Sequence, residues 1–278
     1  MIDLLTTPLA YPFMQRGLLA ALLVGIVCAV VGVYVVLRSM AFLGDALAHT
    51  ILPGIAVGYL INGTDRGALF WWALGAALVS SFSIGAVSRA ARMREDTAIG
   101  IVFAAMFALG VALISTVRNS AVDLSHFLFG NILGVSEGDL WRMAIFGAVV
   151  LTVIVLFYKE LMVITFDPVL AATLRLPVRF FDFLLLTMLA VAIVVAIQTV
   201  GVALTLAILV TPPATAAFFT YRMHTMMIAA AILAMLAGVV GLYASYYLSI
   251  ASGAAIVLTS TLIFALVWVG SHLRRHSG

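Results

Sequence analysis

Asp45 and His49 share the segment Ala41-Phe-Leu-Gly-Asp-Ala-Leu-Ala-His-Thr50 of a 278-residue chain. On a helix, residues i and i+4 lie one above the other, so the carboxylate and the imidazole project from one face a turn apart. One hard oxygen donor and one borderline nitrogen donor suit divalent manganese, zinc or iron. Cuprous ion would call for cysteine or methionine instead. Two ligands are too few for any of these ions. A two-fold homodimer with this helix at its axis would double the set to two Asp and two His, enough for a four-coordinate ion with room for water. The imidazole must be neutral to ligate, so protons compete and metal handling should weaken at acid pH. The alternative reading is a neutralising pair that stitches helices together.

The elements that hold this pair are dictated by the solvent. Hydrophobic residues make up 65% of the chain and charged residues 9%, with a mean hydropathy of +1.26; soluble domains are only about half apolar. Apolar runs of about 17–25 residues recur, and in a bilayer each must satisfy its own backbone hydrogen bonds, which makes it a helix. The expected fold is all-α and polytopic, a single transmembrane domain over 1–278. Spacing predicts helices at 13–37, 40–62, 68–89, 97–117, 140–158, 180–199, 202–220, 225–248 and 253–273. That is nine spans, or eight if the short stretch from Thr199 to Val202 turns within one broken pair. Arg89, Arg92 and Arg94, then Lys159, Arg175 and Arg179, then Arg274 and Arg275 mark the cytoplasmic side. The region from Asn119 to Leu140 carries Asp123, Glu137 and Asp139 without lysine or arginine and suits the outer face. With nine spans the N-terminus lies outside. Pro8, Pro12 and the absence of a basic leader region argue against a cleavable signal. Measured from an anchor at Arg38, Asp45 lies about 10 Å and His49 about 16 Å into a core about 30 Å thick. Asp45 is the acidic residue deepest within a predicted span, and an intramembrane carboxylate is a functional site by default.

Other features define what surrounds the pair and what is missing. Pro53 cannot donate to the carbonyl of His49, which is thereby freed toward a wet pathway or merely kinked. Gly54 follows it, and Pro212 and Pro213 free the carbonyls of Ile208 and Leu209, so both proline sites read as bends or gates. Gly54 and Gly58 form a small-residue spacing of little weight among 22 glycines. His126, His224, His272 and His276 read as solvated, Cys28 as a buried small residue and the scattered methionines as packing. The phosphate-loop motif is absent, so energy must come from another protein. The zinc-hydrolase motif His-Glu-x-x-His and a paired aspartyl-protease signature are absent too. In Phe166-Asp-Pro-Val-Leu-Ala-Ala-Thr-Leu-Arg-Leu-Pro177, Asp167 and Pro168 read as N-cap and first turn of a short helix. This stretch, within a loop of about 161–179, is either a protruding docking element or an ordinary interfacial connector.

These residues resemble the permease subunits of ABC importers for manganese, zinc and iron. Met40-Ala-Phe-Leu-Gly-Asp-Ala-Leu-Ala-His-Thr-Ile-Leu-Pro-Gly54 carries the likeness most specifically. Arg94-Glu-Asp-Thr-Ala-Ile-Gly100, Phe129-Gly-Asn-Ile-Leu-Gly134, Phe166 to Pro177, and Gln198-Thr-Val-Gly-Val202 through Pro213-Ala-Thr-Ala216 extend it over nearly the whole chain. The resemblance implies a type II importer-like permease in the plasma membrane of a prokaryote. It implies a homodimer, two copies of a cytoplasmic ATPase and an extracytoplasmic metal-binding protein. Asp45 and His49 would then contact the ion in transit, which is cargo and not a cofactor. The stretch holding Asp167, Pro168, Leu170, Ala171 and Leu174 is similar to the helix that couples to the ATPase. Arg175 stands where that loop commonly has glycine. The wording around Gln198 and Pro213 leans toward the manganese branch. A permease for chelated metal or cobalamin, and a cation channel or secondary carrier without an ATPase, are the competing readings.

Overall fold

The computed structural model describes residues 7–63, 65–116 and 132–276. Asp123, His126 and Phe129 to Asn131 lie outside them. Helix α1 runs Pro12–Leu37, α2 Ala41–Thr50, α3 Leu52–Asn62, α4 Arg66–Ala90 and α5 Glu95–Ser115. A 3-10 turn at Ile132–Gly134 precedes α6 (Glu137–Leu156), α7 (Tyr158–Phe166) and α8 (Pro168–Thr173). Then follow α9 (Val178–Val200), α10 (Val202–Ala217), α11 (Met223–Leu248) and α12 (Ser252–His276).

Among the described residues, 8 segments are long and apolar enough to cross a membrane, with α2 and α3 together counting as one. Of the two counts the sequence allows, eight and nine, the described residues give eight, and α10 makes the difference. That helix has 16 residues, about 24 Å at 1.5 Å per residue, short of a hydrocarbon core about 30 Å thick. Its separation from α9 rests on Gly201, whose φ of 85° lies in the region that favours glycine.

Local chemistry sets the helix ends. Asp65 caps α4 by accepting from the Gly67 amide at 3.0 Å, and Glu95 and Asp96 occupy the first turn of α5, where the helix dipole favours negative charge. At the start of α6 the Asp139 amide donates to Ser136 Oγ at 3.2 Å, while Ser136 Oγ donates to Asp139 Oδ2 at 2.6 Å. Two of the acidic residues expected on the outer face, Glu137 and Asp139, thus serve the opening turn of a span.

The chain forms two compact units. The first takes residues 7–36, 132–151 and 195–276 among those described. Its centre is α1, where Val24, Val31, Val33 and Tyr34 have no exposed surface. Small residues let other helices reach the α1 backbone, as where Gly25 lies against Ala234 of α11. Gly32 meets α10 at the carbonyl of Leu209, one of the two carbonyls freed by the proline pair. The helix continues through Pro212 and Pro213, and glycine on α1 gives the unbonded oxygen its space.

The second unit takes residues 37–63, 65–116 and 152–194 among those described. Here Gly54 and Gly58 of α3 both pack on Trp72 of α4, Gly54 so closely that a methyl group would overlap the Trp72 carbonyl oxygen. The spacing given little weight in the sequence is therefore the seam between α3 and α4.

Among the described residues, four helix ends close on non-glycine residues with positive φ: Ser39, Arg92, Arg175 and Ser249. After α8, Arg175 donates to Ala172 O at 3.0 Å and Leu176 to Ala171 O at 3.1 Å, the paired bonds of a Schellman close. Arg175 is the left-handed residue of that motif, with φ of 56°. This explains physically why glycine suits the position. Arg175→Gly should raise stability by about 0.5–1 kcal/mol, seen as an increase of about 2 °C in the melting midpoint. An unchanged or lower midpoint would contradict the strain argument.

Candidate metal site

The site is built on α2, a 10-residue helix whose buried side is Leu43, Gly44, Ala46, Leu47, Ala48 and Thr50. The remaining face presents Phe42, Asp45 and His49, successive positions at helical spacing. His49 Nε2 lies 3.5 Å from Asp45 Oδ1, and the side chains are 25% and 42% exposed respectively. The i,i+4 arrangement read from the sequence is therefore present, with both groups accessible from one side.

Proline ends the helix just beyond the pair. Pro53 has no N–H to give the carbonyl of His49, and the chain turns at Ile51 before resuming as α3. The expected open carbonyl is corrected in part, because the Ile51 amide donates to it. Two neighbours clasp the break. Gly110 of α5 sits against Leu52 and Pro53, with a hypothetical Cβ only 2.7 Å from Leu52 Cβ, while Gly54 is held against α4. Pro53 and Gly54 are thus packing residues at a helix break, placed one turn past His49.

An aromatic wall on α5, not foreseen from residue order, flanks His49. Phe107 meets the His49 ring edge-on, with centroids 5.9 Å apart and an interplanar angle of 88°. Phe103 lies 6.0 Å from the same ring, and the two phenyl rings stack at 5.8 Å. Phe42 closes the row at 5.9 Å from Phe103. Their i,i+4 spacing on one apolar helix was the available signal, hidden among many apolar residues. These rings restrict how the imidazole turns and keep water from one side of it. Phe107→Ala should weaken metal handling about 2–10-fold, the value of one aromatic contact, measured as a rise in the half-saturating metal concentration; no change would remove the ring from the site.

Among the described residues no group of three or more His, Cys, Asp or Glu side chains is placed to hold a metal ion. Within one chain Asp45 and His49 therefore stand as a pair of candidate donors. His224 is exposed at the start of α11, and His272 stacks on Trp268 at 6.2 Å, so neither joins Asp45 and His49.

The short capped helix expected between Phe166 and Pro177 is present. Asp167 Oδ1 accepts from the amides of Val169 at 3.0 Å and Leu170 at 2.9 Å, and Pro168 takes the first turn of α8. Phe166, Val169, Leu170 and Leu174 are exposed, whereas Ala171 is fully buried. Five residues of this stretch thus divide into a cap (Asp167, Pro168), an apolar outer face (Leu170, Leu174) and an inner anchor (Ala171).

The chain matches the model of the ABC 3 transport family over residues 10–271. It is 44% identical over 260 residues to the manganese transport system membrane protein MntC of Halalkalibacterium halodurans, covering 94% of this chain and 88% of that one. It is 36% identical over 272 residues to a protein of Haemophilus influenzae named "Probable iron transport system membrane protein", covering 98% and 94%. Among solved structures it is similar to PsaBC from Streptococcus pneumoniae in complex with Fab, with a TM-score of 0.82 and 36% identity, covering 96% of this chain and 95% of that chain.

Proposed function

Because this chain belongs to the ABC 3 transport family, a family of multi-pass membrane proteins of the bacterial plasma membrane, we propose that it is the permease of an ATP-driven importer of a divalent transition metal, manganese first among them. The observation that carries the reading is the Asp45–His49 pair, 3.5 Å apart and open on one face of an intramembrane helix. A carboxylate at that depth costs several kcal/mol unless it is wetted, neutralised or given a cation. Its donor set fits manganese, zinc or iron, and relatives named for manganese and for iron stand on both sides of that choice.

A second copy of the chain completes the site. One copy has two ligands, and the face bearing them continues into exposed Phe42 and Phe107. Apposing two such faces across a two-fold axis brings two Asp and two His to one ion and covers the aromatic surface. The exposed apolar face of α8, Leu170 and Leu174 with Val169, docks on a cytoplasmic ATPase, one per copy. An extracytoplasmic metal-binding protein delivers the ion, and ATP-driven closure opens the Asp45–His49 ring alternately to each side. A chelate or cobalamin permease would need a wide cavity without a midplane ligand pair, and a channel would need no docking helix.

The test is ATP-dependent uptake into liposomes by the chain assembled with its ATPase and binding protein. Manganese accumulation that requires ATP and all components is expected. Uptake that proceeds equally without the ATPase would overturn the reading.

A further inference from the structure

At the other end of α2 from the helix break lies a cluster of charge that the metal site does not use. Arg38, in the link between α1 and α2, donates from both Nη1 and Nη2 to Asp182 Oδ1, each at 3.0 Å. Arg89, in the last turn of α4, places Nη1 3.9 Å from Asp182 Oδ2. Arg89 is itself pinned: its Nε donates to Gly85 O at 2.7 Å, and its guanidinium lies 3.9 Å from the centre of the Phe183 ring. Glu95, the first residue of α5, lines the same small cavity as Arg89 and Asp182. Two arginines and two carboxylates from four segments thus balance in a half-buried space, with Arg38 only 12% exposed.

The placement of Asp182 gives the cluster its meaning. It stands in the opening turns of α9, which leaves α8 after the turn at 174–177. Its main partner, Arg38, stands three residues before α2. A displacement of α8 carried into α9 therefore reaches the start of α2 through a charge-assisted bond. The helix that receives it is short and is broken from α3 at Ile51, while Gly54 and Gly58 hold α3 to Trp72. Movement at Arg38 can swing α2, with Asp45 and His49, without dragging α3.

We propose that Asp182 is the positioning residue through which motion of the docking segment reaches the metal-bearing helix, so that loss of its bond to Arg38 uncouples ATP hydrolysis from metal passage. This rests on the proposed reading of the chain as an ATP-driven importer subunit. The assembled complex in liposomes would be measured for manganese uptake and ATP hydrolysis together, with wild type first, since wild type without ATP-dependent uptake would refute that reading and not this one. In Asp182→Asn, uptake per ATP should fall about tenfold, with hydrolysis within twofold of wild type. Asp182→Glu should restore at least half of the ratio. Removing Asp182 alone leaves two arginines against the single carboxylate of Glu95, so the double change Arg38→Met with Asp182→Leu separates tether from charge balance, since replacing a buried ion pair by an apolar pair is often neutral for stability. The double variant should assemble and remain uncoupled. Wild-type uptake per ATP in the double variant, or hydrolysis and uptake falling in proportion in Asp182→Asn, would overturn the proposal.

Discussion

Asp45→Ala is expected to reduce ATP-dependent manganese uptake at least about 100-fold while the complex still assembles. Residues that merely orient a metal ligand cost about 10–100-fold when removed, and in the proposed site Asp45 is a ligand itself. Its loss removes half the protein donors of each copy and all the negative charge that compensates a divalent ion at that depth. Asp45→Asn separates charge from shape. The amide can still reach His49 across the 3.5 Å gap, so a pair that only stitched helices would tolerate it, whereas a cation site would not. Both variants should therefore fail in uptake, with complex yield close to wild type. Uptake at the wild-type rate in either would sink the site assignment.

The second large effect concerns stability. A Cβ added to Gly32 would overlap the Leu209 carbonyl oxygen and lie 3.0 Å from Pro213 Cγ. The carbonyl cannot rotate away without distorting a helix that already lacks two amide donors, so Gly32→Ala forces α1 and α10 apart. Overpacking of a core costs about 1–3 kcal/mol and sometimes more; here about 3 kcal/mol is expected, a fall of about 10 °C in the melting midpoint. Gly75 is the control, because nothing lies within 4 Å of a Cβ built there. Gly75→Ala should be neutral or slightly stabilising, as alanine favours a helix over glycine. Equal effects of the two substitutions would mean that the contact between Gly32 and the freed carbonyl has no weight.

What could be read from residue order was whatever is local. Apolar runs fixed most helices within a few residues because lipid leaves the backbone no other choice. The Asp167–Pro168 start of α8 was visible because a cap acts over three residues, and the Asp45–His49 face because i,i+4 geometry needs only one helix. What escaped was set by partners far along the chain. Asp182 meets Arg38 across 144 positions, a pairing that no local spacing marks. Gly54 and Gly58 could not be told from chance until Trp72 was seen against them. Pro53 announced a bend, but only the clasp by Gly110 and Trp72 shows that the bend separates the segment carrying Asp45 and His49 from an anchored one. With aromatic residues making up 10% of the chain, Phe103 and Phe107 were hidden for the same reason: position on a helix is legible, and the helix it faces is not.

The most direct measurement is electron spin-echo spectroscopy of manganese bound to the assembled complex in lipid nanodiscs, for wild type and for His49→Ala. One ion per two copies of the chain is expected, with nitrogen coupling from imidazole that disappears in His49→Ala. Bound manganese without nitrogen coupling in the wild type, or coupling that survives in His49→Ala, would contradict it.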